Sequence, residues 1–161
     1  MPTPYADVSS GSEELECVLL SRVAEWTLEF PYRRSLGPVV GAFFTGLRDQ
    51  KVLGSRTKDG RVFVPPLEYD PETGDAVQDD LVEVAEEGVV RNFAWVTEPM
   101  RKHPLDHPFA WAQVQLDGAD TTMLHALDAP RDSIADGMRV KIRWRDERQG
   151  HITDIECFEP A

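Results

Sequence analysis

Arg139-Val140-Lys141-Ile142-Arg143-Trp144-Arg145 alternates charge with apolar bulk at a period of two. Successive side chains of a strand point to opposite faces, so the run predicts a strand with Val140, Ile142 and Trp144 turned inward and its cations in water. Upstream, Phe109 to Leu116 and Thr121 to Leu127 read as strands joined by a hairpin turn at Asp117-Gly118. A loop carrying Pro99, Pro104 and Pro108 separates them from a strand over Val89 to Val96. Pro130 to Gly137 supplies a turn or short helical connection, and His151 to Phe158 a last strand. Five short strands within about seventy residues, with one longer central connection, fit a small closed barrel such as an OB-fold.

Before the barrel the pattern changes. Gly37-Pro38 puts proline at a first helical turn, where its missing N–H costs nothing. Val39, Val40, Phe43, Phe44 and Leu47 then recur at spacings of three to four, which predicts a helix over 38–51. Residues 52–75 are strand-and-turn material. Val62-Phe63-Val64 is a short strand between Asp59-Gly60 and Pro65-Pro66, and Asp70-Pro71-Glu72-Thr73-Gly74-Asp75 has turn chemistry. The acidic run from Asp79 to Glu87 is interleaved with Leu81, Val82 and Val84, as on a solvated strand face. Leu15 to Phe30 fits a helix through Leu15, Val18, Leu19, Val23 and Trp26, and a strand through Trp26, Leu28 and Phe30; periodicity does not separate the two. Residues 1–14 read as a polar tail.

Composition narrows the function classes. With 161 residues and 41% hydrophobic content the chain supports a packed core. Its net charge of −12 repels a phosphate backbone, which argues against a nucleic-acid binder. Cys17 and Cys157 stand far apart and form no metal-type pair, so two buried or half-buried thiols are expected. No apolar run is long enough to span a membrane, and the first residues lack the basic and apolar pattern of a signal peptide, so a cytoplasmic location is expected.

The order of features carries a resemblance. A helix with Phe43-Phe44 and Leu47-Arg48 runs into Leu53-Gly54-Ser55-Arg56. Asp59-Gly60-Arg61-Val62-Phe63-Val64-Pro65-Pro66, Asp70-Pro71-Glu72-Thr73-Gly74 and Gly88-Val89-Val90 follow. This resembles the zinc-ribbon/OB-fold family associated with acyl-CoA enzymes, domain of unknown function 35, over about residues 32–160. That family places G-x-R-C-x-x-C-G after the helix, then P-P-R-x-x-C-P-x-C-G, then the barrel. Here all four cysteine positions have lost their cysteines. Asp59, Asp70 and Thr73 fall on three of them, and a one-residue gap blurs the first, near Arg56 or Thr57. Two carboxylates and a hydroxyl are a poor tetrahedral zinc set, so no zinc is expected, and the ribbon should be held by Val62, Phe63, Val64, the prolines and turn hydrogen bonds.

The resemblance implies a mainly β (α+β) chain: an N-terminal extension at 1–31, a helix with a degenerate rubredoxin-like zinc ribbon at 32–80, and a five-stranded OB-fold barrel at 81–161. It further implies a non-catalytic accessory subunit, in a hetero-oligomer with a thiolase, lipid-transfer-type thiolase or related aldolase that handles acyl-CoA in lipid or steroid metabolism. A stand-alone module that holds CoA or acyl-CoA is the alternative. No cofactor is expected.

Among the residues themselves, no nucleophile elbow, Gly-rich phosphate loop or H-E-x-x-H is present, and no catalytic residue is assigned. His103 and His107 are four apart, but Pro104 and Pro108 argue against the helix that a metal site at this spacing needs. Arg101 and Lys102 beside them, and Arg143 and Arg145 in the basic strip Arg139, Lys141, Arg143, Arg145 and Arg148, are the candidate contacts for a CoA phosphate or a partner; a solvated face that balances the acidic excess is the plainer reading of the strip. Arg33 and Arg34 are candidate anchors for phosphate or partner carboxylates. Gly37, Gly41 and Thr45 could admit a second backbone along one helix side, or serve packing within the chain.

Overall fold

A computed structural model describes residues 28–32, 35–77 and 81–161. The chain divides into two compact units, Met1–Arg34 and Ser35–Ala161, and the elements described here belong to the second. In the first, residues 28–32 have no regular secondary structure; the rest of the stretch read two ways, with Cys17, Arg33 and Arg34, lies outside the described residues.

Helix α1, Gly37–Arg48, starts where proline allows it, with Pro38 in its first turn. Phe43 and Leu47 are one turn apart and both buried, so the apolar stripe seals against this chain's own core. Gly41 has open space around it, whereas a Cβ on Gly46 would stand 2.9 Å from Lys51 O and 3.1 Å from Leu53 Cγ. The close approach on this helix is therefore made at Gly46. The Nε of Arg148 donates to Arg48 O (2.9 Å), which places a cation at the helix C-terminus.

Strands β1 (Val52–Arg56), β2 (Val62–Phe63) and β3 (Leu81–Val84) form an antiparallel sheet in the order β2-β1-β3. Leu81–Val84 thus pairs with the ribbon strand β1, so the two sheets part at Ala85-Glu86 rather than before residue 81. Strands β4 (Glu87–Val96), β5 (Phe109–Leu116), β6 (Met123–Leu127), β7 (Arg139–Trp144) and β8 (Ile155–Pro160) close a barrel in the order β4-β5-β6-β8-β7. The expected five-stranded OB-fold barrel is present. The long β4 pairs with β5 along its length and with β7 near its start, and β6 meets β8 in parallel at Leu127 and Phe158. Gly88 sits where backbone crowds hardest: a Cβ there would lie 2.2 Å from Gln115 O, so only glycine lets β4 and β5 approach.

One core runs through both sheets. Phe43, Leu47, Val52 and Val84 join Val90, Val114, Leu116, Val140, Ile142 and Phe158 in one cluster. Trp144 packs against it and donates its Nε1 proton to Glu86 Oε2 (3.0 Å), as the inward reading of Trp144 requires. Val62 and Val64 of the ribbon are also tied by hydrogen bonds to Asp120 and Thr121 in the β5–β6 turn.

Candidate functional site

Two of the positions at which the resemblance expects cysteine, Asp59 and Asp70, flank a guanidinium. Arg61 Nε donates to Asp59 Oδ2 (2.6 Å), Nη1 to Glu72 Oε1 (3.0 Å) and Nη2 to Asp70 Oδ2 (3.3 Å). Thr57 Oγ1 donates to Asp59, and the Asp70 carboxylate caps the Glu72 and Thr73 N–H groups. The hydrogen bond from Thr57 and the one from Arg61 hold the Asp59 carboxyl below its ordinary value. A planar five-donor fork thus joins the two turns. The expectation that apolar residues and turn hydrogen bonds hold the ribbon omitted this ion-pair cluster. No group of three metal-ligating side chains occurs among the described residues.

The second cluster lies at one end of the barrel. In the loop between β4 and β5, His103 N donates to Met100 O (2.9 Å), and Met100 N donates to His103 Nδ1 (3.1 Å). These two bonds close a turn with Arg101 and Lys102 at its exposed corners. Its base is fixed by Leu105, which is buried, and by His103, which stands edge-on to Phe109 and Trp111. His107 bridges Asp106 (3.2 Å) and Asp128 (3.0 Å); those hydrogen bonds, Asp128 first, raise its pKa. Both histidines are thus engaged with protein groups, in a loop.

The β7–β8 loop is equally fixed. Asp154 accepts from the N–H groups of Gln149 (3.0 Å), Gly150 (2.7 Å) and His151 (3.1 Å). Burial pushes this carboxyl up, but the three donors outweigh it and the pKa falls. Arg145 donates from Nε to Thr153 O (2.9 Å), which turns its remaining nitrogens toward the same barrel end.

Three clefts adjoin there. One of about 450 Å³ is lined by Lys102, His103, Trp111, Leu124, His125 and Arg145, among others. One of about 470 Å³ shares His103, Pro104 and Arg145 with it, and one of about 380 Å³ shares Trp111 and Leu124. Beneath them His125 is buried, its Nδ1 without a hydrogen-bond partner. Burial lowers its pKa against the opposing pull of the Ile152 and Ala126 carbonyls, so the ring is neutral at pH 7.

The four cations singled out from the sequence separate into two groups. Arg101, Lys102 and Arg145 line this end of the barrel and have no carboxylate partner among the described residues. Arg143 is different: it meets Asp128 (3.0 Å), Glu156 (3.0 Å) and Glu159 (3.2 Å), and three carboxylates around one guanidinium repel a phosphate. Arg139 is similarly bound to Asp117 and Glu87, so much of the basic strip does balance acid. Cys157 is buried in the barrel, and burial pushes its thiol up to about 12, which makes it inert as a nucleophile. Sequence reasoning missed Trp111, Leu124 and His125. The signal was present in β6, where an apolar Leu124 faces out while a histidine, His125, shares the inward face of Met123.

Residues 81–145 match the family described as "ChsH2, C-terminal OB-fold domain". This segment is similar to that OB-fold domain. Two solved structures share the fold. A DUF35-family protein of unknown function from Sulfolobus solfataricus aligns with a TM-score of 0.54 at 24% identity, covering 66% of this chain and 77% of that one. A structure described as "Ltp2-ChsH2(DUF35) aldolase" aligns with a TM-score of 0.56 at 21% identity, covering 82% of this chain and 98% of that one. No curated protein matches the chain. Among the described residues no helix is long and apolar enough to cross a membrane.

Proposed function

We propose that this chain is a non-catalytic accessory subunit of a complex with a thiolase-like protein, a lipid-transfer-type thiolase or aldolase, acting on acyl-CoA in lipid or steroid metabolism. The observation that carries this reading is the match of the barrel to the ChsH2 C-terminal domain, joined to a shared fold that extends over the ribbon to nearly all of a DUF35 chain described with an Ltp2 aldolase. The chemistry of the barrel end agrees. It offers cations and an aromatic ring, which suit contact, while the thiol is sealed inside. The test is co-expression of the tagged chain with each thiolase-like protein encoded in the same genome. Co-elution at fixed stoichiometry is expected, and a wild-type chain that elutes alone from every such pairing overturns the reading.

A second reading, a stand-alone module for CoA or acyl-CoA, is favoured by Arg101, Lys102 and Arg145 around clefts of ligand size. Calorimetric titration of the isolated chain with CoA separates the two. Heat that saturates supports direct binding, and a flat titration leaves the accessory role alone.

A further inference from the structure

The barrel end that carries the three clefts is the face on which OB-folds take their ligands: the second and third strands with the two loops flanking them. Here those are β5 and β6 with the β4–β5 and β7–β8 loops. We propose that this face is the docking surface for the partner subunit, and that the partner presents to it an apolar patch rimmed by carboxylates. The inference rests on the accessory-subunit reading and adds which surface is used and what chemistry meets it.

Three observations lead there. First, apolar side chains stand in water around a half-buried Trp111: Met100 is 68% exposed and Leu124 62%. Large apolar groups clustered in this way, with polar groups at the edge, mark interaction sites. Second, the rim is cationic in a chain of net charge −12. Arg61, Arg139 and Arg143 each hold two or three carboxylates, yet Arg101, Lys102 and Arg145 hold none among the described residues. Cations left open beside an apolar patch are complementary to an acidic rim, and they steer encounter with it. Third, the surface is built in advance. The Met100–His103 turn, the Leu105 anchor and the Asp154 cradle fix both loops, so little ordering entropy remains to be lost on association.

The same facts argue against other occupants. In an isologous dimer the same patch meets itself, which would set these cations against their own copies. Three cations in a chain of this charge are too few to hold a nucleic-acid backbone.

The experiment compares wild type with Leu124→Glu, with the Arg101→Glu, Lys102→Glu double variant, and with Arg56→Glu, a charge reversal at the exposed end of β1. Because the altered side chains are exposed, thermal midpoints should match wild type. Affinity for the co-expressed thiolase-like protein, measured by interferometry, is expected to fall roughly tenfold or more for the first two and to stay unchanged for Arg56→Glu. It should also weaken with added salt in wild type and less so in the double variant. Amide exchange of the wild-type complex should show protection at 100–103, 111–113 and 124–125. A wild-type complex that forms but is indifferent to these substitutions, or is protected elsewhere, overturns this inference and leaves the accessory role standing. If wild type forms no complex, both fall. If the variants lose binding of free CoA while the complex persists, the face is a small-molecule site and the docking assignment is wrong.

Discussion

The ribbon and the barrel are held together by different physics. The barrel is a closed sheet around Val90, Val114, Leu127, Val140 and Phe158, all withdrawn from water, and burial of apolar area stabilises it. The ribbon has a three-stranded sheet of which β2 spans only two residues, and its turns are joined by Arg61. A tetrahedral thiolate–zinc site adds folding energy outright. An ion cluster this close to solvent adds far less and is screened by salt. The comparison shows a division of labour: the barrel supplies the stability, and the smaller sheet needs only to keep its shape against it.

The largest expected effect tests the barrel. Phe158→Ala deletes a fully buried ring shared by β7, β8 and β6, and should lower global stability by about 3–5 kcal/mol in denaturant melts, with ribbon and barrel unfolding together. A loss well below that range would mean that the ribbon, and not the barrel alone, carries the stability of the fold. A smaller effect is expected from Arg61→Ala. Amide protection should fall across 57–75 while the barrel amides stay as they were, and molar salt should reproduce part of this loss in wild type. Cooperative unfolding of the whole chain in Arg61→Ala would break the distinction between the two regions.

The smallest effect concerns the loop latch at His107. Its carboxylate partners raise its pKa above the ordinary 6.5. The latch is therefore fully present below that pH and is lost as pH rises through the raised value. Protection of residues 97–108 should fall over that window, followed by NMR, and His107→Gln should abolish the dependence. A flat profile in wild type would show that Leu105 and the Met100–His103 turn suffice to hold the loop.

Periodicity made most of the barrel legible, because a strand with one face in a core must alternate; the run 139–145 and the inward Trp144 follow from that alone. The helix was legible through Pro38 and the Phe43–Leu47 spacing. Two kinds of information were not. Ion pairs depend on which carboxylates the fold brings near a cation, so Arg143 and Arg145, two residues apart, look alike in sequence yet differ in their partners. The Arg61 cluster gathers side chains across eleven residues of turn, and no spacing rule encodes it. The face around Trp111 and Leu124 is not legible in the sequence because each residue, taken singly, is an ordinary strand residue.

Val62 and Val64 bind the polar atoms of Asp120 and Thr121, with Val62 N to Asp120 Oδ2 and Val64 N to Thr121 Oγ1 both at 2.8 Å. A barrel cut free at Ala85 would leave those two side chains without their backbone partners, and a transplanted ribbon would arrive with an unpaired strand edge. Exchange of halves between relatives should therefore succeed only where this Asp-Thr pair travels with the incoming barrel, so the seam is inherited as a unit.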